Sequence, residues 1–477
     1  MVFSSIEFLW FFMPAVLLAY AVVAPRWRNG LLAAVSLVFY VWGAHAIVLV
    51  FLASILFNYL AGRWIGRAVE EGRKLTARRV MQAAIVANLA VLFGWKYTVF
   101  AVDQLNGLIG VFGDGSIPEP SILLPIGISF FTFHGISYVV DVTRGHAKPM
   151  RGIADYAQYM AFFPQLIAGP IIRYHQIEDQ IRTPPPRSQR LEDIAEGFPR
   201  FALGLCKKVL IADQVAPIAN AAFSDPSGVT TAGAWIGALA FTVQIYFDFS
   251  GYTDMAIGLA RMFGFRFPEN FDRPYSAVSM TDFWRRWHIT LSRWFRDYVY
   301  IPLGGSRVSQ AVTVRNLLVI FLLVGAWHGA AWTFVLWGLY NGGILIAERL
   351  SGVSKMTDER LAVPRRAGTF LLVVFGWVLF RAGSVGDALD VYSAMLSPNL
   401  GELPQAIDEA LVPPAIIALC LGVASALLPR GLVMGRLLEG GWRGPALRAR
   451  LAVVALVPFA AITVAAGSFS PFLYFQF

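Results

Sequence analysis

The sequence predicts an all-α polytopic membrane protein, and three observations carry that prediction. First, 57% of its 477 residues are hydrophobic and 14% are charged, where soluble domains carry about 25% charged residues. Second, apolar stretches of roughly bilayer length recur from end to end, each able to cross as a helix. Third, Lys and Arg concentrate in alternate loops, the asymmetry that orients spans in a bilayer. The net charge of +9 therefore serves the membrane surface. The partner is the lipid bilayer, and no nucleic-acid partner is expected.

In chain order, spans are expected near 6–24, 30–44, 46–62, 80–100, 121–140, 200–222, 232–250, 314–328, 331–349, 367–383, 411–428 and 451–468. The first is read as a retained span, because Met1 to Glu7 lacks the basic region of a cleaved signal peptide. The loops between divide by charge. Residues 63–79, 141–152, 349–366 and 430–450 are rich in Arg and Lys, including Arg63, Arg67, Lys148, Arg151, Lys355 and Arg436. Loops marked by Asp103, Asp114 and Glu119, or by Asp387, Asp390, Glu402, Asp408 and Glu409, are acidic. The basic set is expected in the cytoplasm and both termini on the far side. Fourteen Trp, 16 Tyr and 37 Phe suit interfacial anchoring. No tandem repeat, low-complexity tract or appended soluble domain interrupts residues 1–477, which read as a single transmembrane domain.

Two stretches break the alternation. Residues 154–172 are apolar, yet Arg151 and Arg173 both read as cytoplasmic, and Pro164, Gly169 and Pro170 interrupt the run. A re-entrant segment lining a cavity resolves the conflict. Around 283–298, Trp284, Trp287, His288, Leu291, Trp294, Phe295 and Tyr298 recur at three- and four-residue steps. With Arg285, Arg286, Arg293 and Arg296 largely on other faces, this reads as an amphipathic helix in the cytoplasmic interface. Those four arginines are candidates for attracting an anionic donor; their plainer role is anchoring to the membrane surface.

Soluble-enzyme signatures are absent: there is no Walker A loop, dinucleotide fingerprint, H-E-x-x-H or G-x-S-x-G. The strongest chemical candidate is His328, an ionisable residue inside an apolar stretch. Such residues persist where they face a cavity or do chemistry. Buried and neutral, an imidazole can accept a proton as a general base. The alternative is a core histidine bonded to a neighbouring helix. His288 is the second candidate, with an interfacial role as its alternative. Asp248 and Asp254 could bind a cation or proton; the plainer reading is that they cap helices or pair with nearby arginines. His45, His134, His146 and His175 make no metal-ligand spacing, and Cys206 and Cys420 give no disulfide framework. No metal and no permanently bound cofactor are expected.

Taken together, the motifs resemble the membrane-bound O-acyltransferase family, in its bacterial alginate O-acetyltransferase branch. They are the opening Met1 to Ser5, Leu124 to Phe133, Leu166 to Pro170, YFDFSGYTDMAIG at 246–258, FWRRWHITLS at 283–292, Tyr298 to Gly305, WHGAAW at 327–332 and the terminal Tyr474 to Phe477. The resemblance covers essentially the whole chain. It implies a ring of about eleven or twelve transmembrane helices, with re-entrant and interfacial helices around a central tunnel. It places the family's signature histidine on His328 and its second recurrent histidine on His288. It further implies acetyl-CoA as donor substrate, a polysaccharide acceptor reached directly or through periplasmic acetyltransferase partners, and the bacterial inner membrane. D-alanyl transfer to teichoic acid, peptidoglycan O-acetylation and a non-catalytic export component are the alternatives.

Overall fold

The computed structural model describes residues 2–44, 47–184, 186–353, 356, 358–428, 435, 438, 444–467 and 472–473. Met1, His45, Lys355, Arg430, Arg436, Arg443 and Tyr474 to Phe477, all used in reading the sequence, lie outside the described residues. Among the described residues every regular element is a helix. The chain packs as two compact units: residues 1–2, 7–194 and 260–267 form one, and residues 3–6, 195–259 and 268–477 the other.

In the first unit a π-helical turn, Glu7–Phe12, leads into α1 (Met13–Val22). Then come α2 (Arg28–Ala44), α3 (Val48–Glu70) and α4 (Lys74–Phe112). At about 1.5 Å per residue α4 is roughly 58 Å long, well beyond the ~30 Å hydrocarbon core. Asn58 on α3 and Asn88 on α4 exchange side-chain amide hydrogen bonds of 3.1 and 2.8 Å. This satisfies two polar groups that hydrocarbon would leave unpaired. The expected span 121–140 begins late. Pro118, Pro120 and Pro125 keep the approach irregular, and α5 (Ile128–Thr143) starts only after Gly127 at φ 73°.

Residues 154–172 fold back on themselves within the first unit. Helix α6 (Ile153–Ala161) ends at Phe162, and a single turn, α7 (Phe163–Leu166), follows before the chain bends at Gly169 and Pro170. Everything from 158 to 172 is buried. The flanks meet again. The Tyr174 hydroxyl donates to the Lys148 carbonyl at 2.6 Å, and the Glu178 carboxylate accepts the Lys148 N–H at 3.1 Å. Tyr174 and Glu178 sit on α8 (Tyr174–Arg182). Gly127 allows the close fit: a Cβ there would come within 2.7 Å of the Leu166 carbonyl.

The expected span 200–222 is helical throughout but holds a π-helical bulge. Helix α9 (Arg190–Lys207) passes into a π-helical turn, Lys208–Ala212, and then α10 (Asp213–Ser224). The turn carries Lys208 into the second unit's interior, where its amine lies 2.7 Å from Asp213 and 2.7 Å from Asp248. Asp248 and Asp254 belong to α11 (Thr231–Met262). Asp254 pairs with Arg200 at 2.7 Å and Lys207 at 2.6 Å. Asp254 thus pairs with an arginine as expected, while the partner of Asp248 is a lysine.

The expected amphipathic helix at 283–298 is not continuous. It is α12 (Met280–Arg286), a kink at Trp287 and His288, α13 (Ile289–Phe295) and a π-helical turn, Arg296–Tyr300. Its apolar residues are core rather than interfacial: Phe283, Trp284, Trp287, Leu291, Trp294 and Phe295 are all buried. The remaining helices are α14 (Gln310–His328), α15 (Trp332–Ser351), α16 (Ala362–Arg381), α17 (Val385–Leu396), α18 (Gln405–Ala410), α19 (Pro413–Ser425) and α20 (Gly444–Ala465). Among the described residues six helices are long and apolar enough to cross a membrane: α3, α4, α11, α14, α16 and α20. Among the described residues the other expected spans are shorter helices or do not reach that length and apolarity.

Candidate functional site

His328 closes α14, at the point where Gly329 turns extended and the chain reverses into α15. The hairpin is tight. A Cβ on Gly325 would lie 2.3 Å from the Phe334 carbonyl, and one on Gly338 would lie 2.4 Å from the Phe321 carbonyl. Only glycine permits that approach. The His328 ring is 5% exposed and sits in an aromatic cage. Ring centroids lie at 4.7 Å for Trp327, 5.0 Å for Phe380, 5.1 Å for Trp337 and 6.5 Å for Phe334. Trp337 and Phe380 meet it edge to face, at 85° and 78°.

His288 also contacts Trp327, with its ring centroid 5.9 Å from that indole. The structure thus brings the two sequence candidates into contact with one aromatic ring. His288 is fully buried and stands in left-handed backbone, φ 43° and ψ 53°, a conformation uncommon for a non-glycine residue and held here by its neighbours. The Ile289 N–H donates to the Asn270 carbonyl at 2.9 Å, and the Asp272 N–H to the Arg286 carbonyl at 2.9 Å. Helix α12, which leads into this kink, is anchored at its start by the Glu348 carboxylate of α15. That group accepts the Met280 and Thr281 N–H groups at 2.6 and 2.9 Å.

The Asn270 side chain settles the His288 tautomer. Its Oδ1 accepts the Thr290 N–H at 3.1 Å and the Thr290 hydroxyl at 2.8 Å. A backbone N–H can only donate, so the atom facing it is the oxygen. His288 Nδ1 lies 3.2 Å from the same oxygen and must therefore carry the proton, leaving the Nε2 lone pair as acceptor. Burial pushes the His288 pKa down to about 3, so the ring is neutral at neutral pH.

Asn270 also lines a polar cavity of about 340 Å³ with Arg200, Lys207, Asp254, Glu269, Asp272 and Arg273. Sequence reasoning missed this wall. The polar run Glu269-Asn270-Phe271-Asp272-Arg273 ahead of the FWRRWH motif was its available signal. None of the four candidate donor-attracting arginines lines the cavity. Arg285 and Arg293 are exposed. Arg286 is spent on Asp282 at 2.8 Å and Arg296 on Asp297 at 2.7 Å. Of the weaker histidines, His134, His146 and His175 lie in the first unit. His134 is buried against Tyr159, and His175 pairs with Asp141 at 2.8 Å.

Comparison with known proteins places this site in a family. The model of the membrane-bound O-acyltransferase family matches residues 120–385, which contain both histidines. The chain is 43% identical, over all of both chains, to a protein of Azotobacter vinelandii named probable alginate O-acetylase AlgI. It is 34% identical to a peptidoglycan O-acetyltransferase of Helicobacter pylori, over 84% of this chain and 80% of that one. It is 28% identical to a teichoic acid D-alanyltransferase of Bacillus subtilis, over 48% of this chain and 60% of that one.

Proposed function

The chain belongs to the membrane-bound O-acyltransferase family and is a multi-pass membrane protein; from that premise we propose that it moves an acetyl group from cytosolic acetyl-CoA to the hydroxyls of a secreted polysaccharide such as alginate. The acceptor is reached directly or through periplasmic acetyltransferase partners. The membrane is the bacterial inner membrane, with the basic loops cytoplasmic and both termini periplasmic. Full-length likeness to alginate O-acetylase, against half-length likeness to the D-alanyltransferase, favours acetyl over D-alanyl transfer.

One observation carries the mechanism: two buried histidines both contact the Trp327 ring, at 4.7 and 5.9 Å between ring centroids. His328 acts as general base. The acceptor hydroxyl gives its proton to the His328 imidazole as its oxygen attacks the thioester carbonyl. The tetrahedral intermediate collapses, the C–S bond breaks, and the coenzyme A thiolate recovers the proton. A thioester is already an activated acyl donor, so positioning and a base in a dry site suffice. His288 is held by Asn270 through Nδ1. Its role is to orient the donor through Nε2. Arg285 and Arg293 draw the anionic donor toward the membrane surface.

Transfer of labelled acetyl from acetyl-CoA by the purified protein, with a polysaccharide acceptor and candidate periplasmic partners, tests the reading. Label that reaches polymer only when this chain is present supports it. Transfer from a carrier-protein thioester but not from acetyl-CoA would replace the donor. The absence of any transfer with verified partners would return the chain to an export role.

A further inference from the structure

Far along the sequence from the histidines, the first unit holds a cavity of about 510 Å³ at the end of α3. Arg63, Arg67, Lys148, Arg151 and Arg182 line it, and Glu70 is the one carboxylate among its lining residues. Arg182 is engaged by Glu178 at 2.7 Å. Among the described residues, no carboxylate pairs with Arg63, Arg67, Lys148 or Arg151. So many like charges around one hollow repel one another, and an anion would relieve that repulsion.

The position says which anion. Arg63 and Arg67 occupy the last two turns of a helix long and apolar enough to span a bilayer. The same helix carries an exposed apolar ridge at four-residue steps: Leu52, Leu56, Leu60 and Trp64 are 39%, 53%, 55% and 56% exposed. Residues four apart stack on one helix face. The ridge therefore runs up to the turn that holds the arginines, with Trp64 at the level an interfacial indole takes. A ligand with an anionic head and an apolar tail matches both parts at once.

We propose that this cavity is a phosphate-binding site and that its occupant is the headgroup of an anionic phospholipid, with the acyl chains lying along Leu52, Leu56, Leu60 and Trp64. The recognised chemistry is a phosphate oxyanion held by guanidinium and ammonium groups, which a soluble polyphosphate shares. The ridge favours the lipid. The site is independent of the acyl-transfer reading.

The full-length protein in zwitterionic nanodiscs, titrated with phosphatidylglycerol, tests this, with retained lipid counted by native mass spectrometry. Each cation near a membrane surface is worth about fivefold in anionic-lipid affinity. Arg63→Gln with Arg67→Gln should therefore weaken retention by about 30-fold, while Arg63→Lys with Arg67→Lys should keep most of it. If the double glutamine variant does not fold, Lys148→Gln and Arg151→Gln give the same comparison from the loop side. In detergent, thermal stabilisation of the wild type by inorganic pyrophosphate but not by phosphatidylglycerol would keep the phosphate site and overturn the lipid as its occupant. Folded charge-removal variants that retain phosphatidylglycerol as the wild type does, with no pyrophosphate response, would overturn the proposal entirely.

Discussion

The Nδ1 of His288 lies 3.2 Å from the Oδ1 of Asn270, eighteen residues upstream, and that oxygen also holds both donors of Thr290. One amide thus fixes the tautomer of a buried histidine and the strained turn that carries it.

Asn270→Ala should therefore act through His288. It removes the acceptor for three donors, leaving buried groups unpaired at a cost of about 1–3 kcal/mol each. We expect a lower unfolding temperature and a kcat down on the order of tenfold, as for a loosened catalytic geometry. The diagnostic readout is the ¹⁵N spectrum of labelled His288, which should lose its single Nδ1–H tautomer. An unchanged tautomer in the folded variant would refute the positioning role.

His328→Ala should lower acetyl transfer by about 10²–10⁴, the usual worth of a general base. Expression, membrane insertion and donor binding should stay near wild type, since the ring contacts around it come from Trp327, Trp337, Phe334 and Phe380, which the variant keeps. Any acid limb of the rate profile between pH 5 and 7 should persist in His288→Gln at the remaining rate, because His288 stays neutral down to about pH 3. Near-normal transfer by folded His328→Ala would end the general-base reading.

Removing charge at Arg285 and Arg293 together should weaken donor capture, and more so at 20 mM than at 500 mM salt, as steering by exposed charges is screened. Arg286→Gln and Arg296→Gln should show less of this salt dependence, since their charges are already countered by Asp282 and Asp297. A loss independent of salt at Arg285 and Arg293 would indicate direct contact instead of attraction.

Lys208→Met should be among the most destabilising single changes in the second unit. It strands Asp213 and Asp248, both buried and both 2.7 Å from the lost amine. Breaking a buried pair in this way costs about 3–5 kcal/mol. Asp248→Asn should cost less, because Lys208 keeps Asp213 and the asparagine oxygen can still accept the Leu473 N–H. Thermal unfolding in one detergent compares them; equal losses would show that the network is not shared as drawn.

Much of this was legible in the sequence where a single residue type violated its surroundings. His328 stood out as an ionisable group in an apolar run, and residues 154–172 as an apolar run with prolines and two basic flanks. Both readings rest on the intolerance of hydrocarbon for unpaired groups. The failures came where long-range contacts overrode local period. The three- and four-residue rhythm at 283–298 predicts one helix, yet hydrogen bonds from Asn270 hold His288 in left-handed backbone and cut it in two. The ion pair at the π-helical turn was not legible either, since Lys208 and its partner Asp248 are forty residues apart in sequence. The cavity beside Asn270 had no periodic signature at all, being assembled from α9, α11 and a loop.

The hairpin of α14 and α15 has a mechanical consequence. With backbone touching backbone at Gly325 and Gly338, any rocking of the two helices has its fulcrum there. His328 is three residues from that pivot, a rise of about 4.5 Å, while Gln310 is fifteen residues away, about 22 Å. A tilt of about 5° would carry the outer end of α14 roughly 2 Å and the imidazole only about 0.4 Å. The histidine rides next to the hinge pin, so the outer ends of these helices can swing to admit a substrate while the imidazole holds its station.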